Sequence, residues 1–450
     1  MKTLDQIASE LQGYDPQALS ASDVLNFLAK LVVPVQQTED LPLFEALGRV
    51  LANDVTSPFD VPPHDNSAMD GYAFDGAALA NSQALSLQVL GTAMAGKAWS
   101  GTVTAGQCVK IMTGAIMPSG LDTVVPQEFV QRNGNVIAIP PGLLAAGDNR
   151  RLRGEDLAEG KPALLKGELV TPARLGLAAS LGLKTLRCFR PLRVAYFSTG
   201  DEILSLGEPP REGAVYDSNR YTVYALLTRL GCQVVDMGVV RDDPALLEAA
   251  FTQAALKADA IITSGGVSVG EADHTKTMMK KLGDVAFWRI AMRPGRPMAV
   301  GRIDTADFLT ESVPSPEDHC FNSYEKSSVE NTKNGAVLFG LPGNPVAVMV
   351  TFLAFVRPAL LQMMGATVTQ PVLLQALSSE PIRKKPGRTE YQRGWVSAAN
   401  GTLTVCTTGS QGSGVLRSMA EANGLIVLHH AQANVAVGDK VDVLMFDGVM

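Results

Sequence analysis

The segment "ADAIITSGGVSVGEADHT" (258–275) decides the fold class, because its apolar half ends in a loop of glycine and hydroxyl residues. A short apolar run that stops at glycines is typical of a buried strand. The loop is similar to a phosphate-binding loop, but it has no lysine and continues into Glu271 and Asp273. A nucleotide loop of the GxxxxGK[ST] kind requires that lysine. The sequence therefore predicts an anion-binding loop in which a positively charged group other than a loop lysine neutralises the bound anion.

The segments around this loop alternate between strand and helix patterns. Strands are predicted at 192–199, 232–240, 258–263, 284–292, 297–303 and 336–341, and helices at 218–231, 244–257 and 346–364. Such alternation favours a doubly wound, parallel sheet with helices on both faces, in which ligands bind at the carboxyl ends of the strands. The loops "STGDE", "SGGVSVGEAD" and "GLPGNP" all follow predicted strands.

The remaining chain predicts three further domains, so the expected fold class is multidomain α/β. The predicted domains are a helical and elongated N-terminal domain (1–57 with 148–190), a β-rich inserted domain (58–147), the α/β domain (191–366) and a C-terminal β-barrel (367–450). A helical pattern at 20–32 indicates the N-terminal domain, and short strand-like pieces between Gly and Pro indicate the inserted domain and the barrel. Residues 304–335 are polar and predict an inserted loop without a catalytic role.

Composition excludes several classes of protein. The chain has 450 residues and a net charge of -7, from 38 basic and 45 acidic residues, which disfavours a general nucleic-acid binder. Its five cysteines never form a CxxC pair, so neither a disulfide framework nor a zinc site is indicated. The N-terminus has acidic residues and no apolar core of a signal peptide. We expect a cytoplasmic protein that binds neither nucleic acid nor membrane.

Carboxylates at or just beyond the ends of predicted strands indicate a metal site. They are Glu202, Asp242, Asp243, Glu271 and Asp273. Magnesium prefers oxygen ligands and is commonly held by one or two carboxylates together with substrate phosphates. A metal would supply the positive charge that the loop lacks, while backbone N–H groups would hold phosphate. For any single acid the alternative is a solvated helix cap or turn.

A second feature is the basic segment "AFWRIAMRPGRPMAVGR" (286–302). It contains Arg289, Arg293, Arg296 and Arg302 and no acidic residue. Arginine binds tetrahedral oxyanions through paired hydrogen bonds, so the segment predicts an oxyanion site in an otherwise acidic protein. A solvated basic edge is the alternative, although the Pro-Gly turn favours a shaped loop.

Three further loops could contact a ligand. "VYDSNR" contains Asp217, Ser218 and Asn219, and "GLPGNP" (340–345) could point the start of the next helix at an anion. "PPHDNSAMDGYAF" (62–74) places Asp65 and Asp70 in a proline-bounded loop. Each could instead be an ordinary turn.

Seven motifs, in order along nearly the whole chain, resemble those of the molybdopterin molybdenumtransferase family, whose eukaryotic relatives include the E domain of gephyrin. They are "HDNSAMDGYA", "KIMTGA", "RRLRGED", "STGDE", "VYDSN", "TSGGVSVGEADHTK" and "GLPGNP". The resemblance implies magnesium-dependent insertion of molybdate into adenylylated molybdopterin, giving molybdenum cofactor and AMP. It also implies an elongated homodimer of four-domain subunits, with each cleft shared between the α/β domain and barrel of one subunit and the β-rich domain of the other.

The resemblance also implies roles for individual residues. The catalytic set would be Asp65, Thr113, Asp156, Glu202, Asp242 and Asp273, of which Glu202, Asp242 and Asp273 would hold magnesium. Molybdopterin and adenylate would bind Asp217, Ser218, Asn219, Ser264, Gly265, Gly266, Ser268, Pro342, Gly343 and Pro345. Molybdate would bind Arg289, Arg293, Arg393 and Ser413. Two departures from the bacterial family pattern stand out, since Arg289 and Arg293 replace lysines and the polar 304–335 insert is unusual.

Two alternative functions remain at this stage. A molybdopterin adenylyltransferase shares the α/β domain, but it is usually a stand-alone domain, and here about 190 residues and a barrel flank it. That enzyme would instead be the upstream partner. The second alternative is a scaffold that binds receptor segments as gephyrin does, which the retained carboxylates and arginines disfavour.

Overall fold

A computed structural model gives the fold and describes residues 2–80, 83–267, 274–305, 335–448 and 450. The chain divides into two compact units, one formed by Met1–Glu39, Gly48–Ala52 and Arg187–Met450 and the other by Asp40–Leu47 and Asn53–Leu186. The sites predicted at Ser268, Glu271 and Asp273, and nearly all of the 304–335 insert, lie outside the described residues. The four predicted domain limits stay a prediction.

Two helices begin the first unit, α1 (Leu4–Ser9) and α2 (Ala21–Leu31), and strand β1 (Thr38–Pro42) follows. The predicted helix at 20–32 is confirmed and begins with a capping box, in which Ser20 accepts from the Asp23 N–H and Asp23 accepts from the Ser20 N–H. Its buried face comprises Val24, Phe27, Leu28 and Leu31. This spacing of three and four residues is that of an amphipathic helix packed on a core.

The second unit consists mainly of short strands, as the sequence predicts for its central part. They are β2 (Val55–Thr56), β3 (Asn66–Ser67), β4 (Gly71–Phe74), β5 (Leu85–Ala93), β6 (Gln107–Ile111), β7 (Thr123–Pro126), β8 (Gln131–Asn133), β9 (Val136–Ile139), β10 (Arg150–Arg151) and β11 (Pro162–Leu164), followed by helix α3 (Pro172–Ser180) and strand β12 (Thr185–Phe189). Six strands form a curled sheet in the order β7-β4-β6-β5-β9-β8, while β10 pairs with β3 and β11 with β2. Alternate residues of β4 enter different apolar clusters, so this sheet is buried on both faces.

The remainder of the first unit begins with the α/β elements. They are β13 (Arg193–Thr199), β14 (Ile203–Leu204), β15 (Val215–Tyr216), α4 (Ser218–Arg229), β16 (Gln233–Val240), α5 (Pro244–Lys257), β17 (Ala260–Ser264), α6 (His274–Leu282), β18 (Gly283–Arg289), β19 (Met292–Arg293), β20 (Pro297–Ile303) and β21 (Ala336–Leu341). Six strands form one sheet in the order β16-β13-β17-β21-β20-β18.

This sheet is only partly parallel, which corrects the fully parallel arrangement that the alternation suggested. β16, β13, β17 and β21 run parallel, but β20 runs antiparallel to both β21 and β18. The physical reason is the short connection between β18 and β20, which contains no crossover helix of the kind that parallel neighbours require.

Helices cover both faces of the sheet, as predicted. Val194 and Tyr196 pack in the cluster that contains α4, whereas Ala195 and Phe197 pack in the cluster that contains α5 and α6. Because successive side chains of a strand point to opposite faces, this division places one core on each side. The doubly wound arrangement is therefore confirmed for the described residues.

A long apolar helical segment follows β21. It comprises α7 (Pro345–Thr351), a π-helical turn (Phe352–Val356) and α8 (Arg357–Met363). Among the described residues, Pro345–Met363 is the one helix with the length and composition of a membrane span, but 72% of its most apolar window is buried inside the protein. Its side chains belong to the main apolar cluster of the first unit, so it packs as a core helix.

The C-terminal region is the predicted closed barrel. Its elements are β22 (Leu374–Ser378), β23 (Thr389–Ala399), β24 (Thr402–Thr407), α9 (Arg417–Ala420), β25 (Gly424–Leu428) and β26 (Lys440–Met445). The pairs β22–β24, β24–β23, β23–β25, β25–β26 and β26–β22 close the ring. β19 pairs in parallel with β23, which joins the barrel to the connection between β18 and β20.

A buried ion pair ties the starts of β13 and β17 and generates a stability prediction. The Arg190 guanidinium donates to both oxygens of Asp259 at 2.7 and 2.8 Å, and the Arg193 N–H donates to the same carboxylate at 2.9 Å. Removing Arg190 leaves the buried Asp259 carboxylate with only the Arg193 guanidinium, whose Nε lies 3.8 Å away, so Arg190→Ala should destabilise the protein by about 3 kcal/mol in chemical denaturation. Lys281→Ala, which removes an exposed pair with Glu248, should cost less than about 1 kcal/mol. Equal effects of the two variants would contradict the assignment.

Candidate functional site

A cleft of about 1430 Å³ lies at the carboxyl ends of the parallel strands. Its walls begin where β13 and β17 end, at Thr199 and Ser264. Five other parts of the unit complete the cleft: the loops after β16 and β21, the connection before β20, the start of α4 and a loop of the barrel. The lining residues include Glu202, Asp217, Ser218, Asn219, Asp242, Gly265, Gly266, Arg293, Arg296, Pro342, Gly343, Pro345, Arg388 and Ser413. The structure therefore brings together most of the residues that the resemblance assigned to molybdopterin and adenylate.

The two glycines after β17 are required by close packing. Gly265 has φ +94°, and a Cβ there would lie 2.5 Å from the backbone oxygen of Thr199. Gly266 has φ +64°, and its Cβ would lie 2.5 Å from Thr275 Cβ. The Gly265 N–H donates to Leu341 O at 3.2 Å. This amide is therefore already engaged and is not one of the backbone N–H groups that could hold a phosphate.

Buried hydroxyl groups form a triangle beneath the loop. Tyr196 Oη lies 2.9 Å from Ser198 Oγ and 2.7 Å from Ser264 Oγ, and the two serine oxygens are 3.1 Å apart. Burial raises the pKa of Tyr196, so the phenol stays protonated and keeps its donor. Sequence analysis missed Tyr196, whose apolar context marks it only as part of a strand, and included Ser198 only as the first residue of the "STGDE" motif.

Of the predicted carboxylates, Glu202 and Asp242 line the cleft. A Cβ at Gly200 would lie 2.5 Å from Glu202 Oε2, so the glycine makes room for this carboxylate. Asp242 Oδ1 accepts from Thr275 Oγ1 at 3.4 Å, and Thr275 Oγ1 lies 3.3 Å from Thr199 Oγ1. Neither threonine was singled out from the sequence, in which an isolated Thr carries no signal.

Asp243 is a helix cap. Its Oδ1 accepts from the N–H groups of Ala245 and Leu246 at 2.9 and 3.0 Å, at the start of α5. The solvated-cap alternative is therefore correct for this acid. Within the described ranges no group of three or more His, Cys, Asp or Glu residues has a metal-binding arrangement, and Asp273 lies outside them.

Asp217 and Asn219 lie at the start of α4 and are both buried. Asp217 Oδ1 accepts from the Arg220 N–H at 3.0 Å, and Asn219 Nδ2 donates to Gly343 O at 2.8 Å. The second bond joins the "VYDSNR" loop to the "GLPGNP" turn. Both loops, with Ser218, Pro342 and Pro345, thus contribute to one wall of the cleft.

The four arginines of the basic segment do not act together. Arg293 and Arg296 line the cleft, whereas Arg289, the exposed last residue of β18, is not among the lining residues. Arg302 is half-buried elsewhere and donates to the backbone oxygens of Lys2 and Leu31. The single positive field expected from the sequence is therefore divided, because strand alternation and the turn send the side chains in different directions.

The barrel contributes Arg388 and Ser413 to the lining of the cleft, whereas Arg393, which was also predicted to bind molybdate, is not among the lining residues. Arg393 is 1% exposed and donates to Ser418 Oγ at 3.0 Å and to the backbone oxygens of Ser410 and Gly412 at 3.2 and 3.0 Å. Burial, assisted by the nearby Arg293, lowers the pKa of Arg393 to about 10. Arg393 thus shapes the loop that carries Ser413 to the cleft.

Arg388 is a lining residue that sequence analysis missed. Its Nε and a terminal nitrogen each lie 2.8 Å from Glu390 Oε1, and Glu390 is almost fully buried. Arg388 stands five residues before Arg393 in "GRTEYQRG". Residues five apart in an extended chain point to opposite faces. This alternation could have predicted that only one of Arg388 and Arg393 points into the barrel.

The predicted site residues of the second unit lie in separate loops. Asp65 Oδ1 accepts from the Arg153 N–H at 2.8 Å, and its Oδ2 lies 3.6 Å from an Arg150 nitrogen, beside a pocket of about 420 Å³. Thr113 donates through both N–H and hydroxyl to Asp70 Oδ1 at 2.7 Å, which lowers the pKa of Asp70. Asp156 is exposed.

Comparisons with known proteins match most of the chain. Family models described as "MoeA N-terminal region (domain I and II)", "Probable molybdopterin binding domain" and "MoeA C-terminal region (domain IV)" match residues 19–182, 195–362 and 375–446. The chain is 37% identical to the molybdopterin molybdenumtransferase of Haemophilus influenzae, with 100% of both chains covered. It is 34% identical to that of a Nostoc species, over 96% of this chain and 95% of the relative.

A solved structure is also similar. The molybdopterin biosynthesis MoeA protein of Pyrococcus horikoshii has a TM-score of 0.75 and 26% identity, with 95% of this chain and 100% of that chain covered. The matches to the MoeA N-terminal and C-terminal models lie outside the α/β region, so the stand-alone adenylyltransferase alternative is not favoured. On these matches and on the ordered motifs, the chain belongs to the molybdopterin molybdenumtransferase family, a family of transferases in molybdenum cofactor biosynthesis.

Proposed function

We propose that this protein inserts molybdate into adenylylated molybdopterin in a magnesium-dependent reaction, giving molybdenum cofactor and AMP. The observation that carries the proposal is the composition of one cleft, in which carboxylates and buried hydroxyls of the sheet face the same space as arginines. A substrate with both a pyrophosphate and an oxyanion requires both kinds of group. Release of AMP, measured with adenylylated molybdopterin, molybdate and magnesium, tests the proposal directly.

The anion would bind at Arg293, beside the buried Arg393, which donates to Ser418 and Gly412 of the barrel and does not line the cleft. These two cations influence each other, since Arg293 contributes to the lowered pKa of Arg393. Arg293 has no carboxylate partner within the described part of the chain, so its donors are available to an oxyanion. Molybdate is a tetrahedral dianion, and a planar guanidinium can give it two parallel hydrogen bonds. Ser413 adds a hydroxyl donor on the barrel side.

The described carboxylates fit a magnesium site that the substrate completes. Glu202 and Asp242 present oxygen ligands to the cleft, and Mg²⁺ is usually held by one or two carboxylates with water and phosphate oxygens. When bound, magnesium would stabilise the negative charge that develops on the pyrophosphate as AMP leaves. Thr275 orients the Asp242 carboxylate through its hydroxyl group.

The protein groups around the cleft position the substrate. The Gly265–Gly266 turn brings backbone close to the space where phosphates would bind, without side chains between them. The arginines hold molybdate against the opposite end of the substrate, so the two reactants become an oriented pair. Pro342 and Pro345 keep the turn after β21 in a single backbone form, since proline restricts φ.

Assembly and location are also proposed. We expect a homodimer in which Asp65 and its neighbours face the cleft of the partner, as the family resemblance implies, because the Asp65 side chain is 37% exposed and can reach a second subunit. Molybdopterin adenylyltransferase would be the upstream partner, since it forms the substrate. A cytoplasmic location accords with the thiols of Cys108 and Cys232, neither of which forms a disulfide.

The carboxylates give the first functional prediction. Glu202→Gln and Asp242→Asn should each lower AMP release by roughly 100-fold or more, the scale of losing a principal electrostatic stabiliser. Asp243→Asn is the matched control, because asparagine also caps a helix and the wild-type side chain does so in α5. Near-normal turnover of both cleft variants would remove these residues from the metal site.

The arginines give the second prediction. Arg293→Ala should raise the molybdate concentration for half-maximal rate by about 10-fold or more, since a charge-assisted hydrogen bond contributes about 1.5 to 3 kcal/mol. Arg289→Ala should have a smaller effect, because Arg289 does not line the cleft. Tungstate and sulfate should compete with molybdate. The proposal fails if both variants keep the wild-type molybdate dependence.

Subunit mixing tests the proposed shared cleft. Asp65→Ala and Asp242→Ala chains should be inactive alone but should regain activity after unfolding and refolding together. Random pairing gives about half hybrids, each with one intact cleft of two, so activity should approach about a quarter of wild type. An inactive mixture that mass measurement shows to contain heterodimers would leave Asp65 as a residue of its own subunit.

A further inference from the structure

Two acceptors at the start of α4 have no donor in the part of the chain that the structure describes. They are Asp217 Oδ2 and Asn219 Oδ1, on residues that are 3% and 7% exposed. Both residues line the cleft. A buried acceptor without a donor costs about 1 to 3 kcal/mol. A ligand that brought two donors to this point would therefore remove an existing cost.

Hydrogen bonds within the protein determine which oxygen of each side chain lacks a donor. Asp217 Oδ1 caps α4 by accepting from the Arg220 N–H, which leaves Oδ2. Asn219 Nδ2 donates to Gly343 O, so the amide cannot rotate to exchange its nitrogen and oxygen without losing that bond. The two acceptors are thus set in place by the helix start and by the turn after β21.

Neighbouring hydroxyl groups do not supply the missing donors. Tyr196 lies close enough to Asp217 for that carboxylate to contribute, after burial, to the raised pKa of the phenol. The three protons of Tyr196, Ser198 and Ser264 can all be used in the bonds among their oxygens. The acceptors therefore remain for a group that enters the cleft.

The chemistry of the substrate decides which group fits. Phosphate and molybdate oxygens are acceptors, so this pair would repel them; phosphate belongs near the glycine turn and the metal, and molybdate near the arginines. The adenine amino group is flanked by ring nitrogens that accept, and the two ribose hydroxyl groups of the adenylate rotate and can accept as well as donate, so neither presents a fixed pair of donors. The pterin ring, in contrast, presents its 2-amino group and the adjacent ring N–H on one edge, which gives two neighbouring donors.

We infer that Asp217 and Asn219 form a subsite that recognises the amino-pyrimidinone edge of the pterin. The inference rests on the proposed function and assigns the pterin end of the substrate, and not its adenine, to the start of α4. Ser218 lies between the two residues and is the first residue of α4, directly after the capping Asp217. The subsite makes Asp217 a specificity-determining residue.

Binding of pterin and of lumazine to the full-length protein tests this inference. Lumazine has an oxo acceptor where pterin has the 2-amino donor, so the pair differs at the recognised edge. Ligand-observed NMR at millimolar concentration should show that the wild type prefers pterin by about 10-fold or more, the scale of a hydrogen bond to a charged group. Asp217→Ser should lose that preference, because serine still caps the helix but has no second oxygen.

Asp243→Ser is the matched control, since it makes the same change at the cap of α5 and should keep the preference. Asp217→Asn serves as a second variant with an intact cap and should also lose selectivity. Equal binding of pterin and lumazine by the wild type, no binding of either, or unchanged selectivity in both Asp217 variants would overturn the inference. AMP release is scored separately: turnover without pterin selectivity refutes only the subsite, and selectivity without turnover refutes only the proposed function.

Discussion

The close approach of the turn after β17 to the end of β13 is the constraint on which the cleft depends. A side chain at Gly265 would collide with the Thr199 backbone, and one at Gly266 would collide with Thr275. Because both residues are glycine, the parallel strands can end side by side and their following loops can share one space. Thr275 then reaches Asp242, so the packing of the turn also orients an acid of the site.

The sheet order also separates charge across the cleft. Glu202 and Asp242 follow β13 and β16, on one side of the sheet, whereas Arg293 and Arg296 belong to the connection between β18 and β20, on the other. An acidic protein can thereby keep a local positive region for an oxyanion. β20 runs antiparallel to β21, so it begins where the parallel strands end, and the arginines just before it lie at their carboxyl ends. The alternation of strands and helices did not predict this direction.

Sequence patterns predicted the helices and strands well, because apolar runs, capping residues and glycines act on the backbone within a few residues of their own position. The helix at 20–32, the strands before "STGDE" and "SGGV" and the closed barrel are all confirmed. The pattern could not reveal that Asp243 caps α5 or that Arg302 binds backbone oxygens, since both depend on which neighbour the fold brings near. Tyr196 and Thr275 were missed for the same reason. Asp65, Thr113 and Asp156 were predicted only through the family resemblance.

The barrel completes the anion region at an energetic cost to the empty protein. β19 pairs with β23, which brings Arg293 to the side of the barrel that carries Arg393. Two cations held near each other repel, and burial of Arg393 increases that cost, as its lowered pKa indicates. An oxyanion bound at Arg293 would reduce this repulsion, because it would neutralise the positive charge that faces Arg393. Ligand binding and the contact between sheet and barrel are therefore coupled, so an oxyanion that fits the site should also stabilise the fold that forms it.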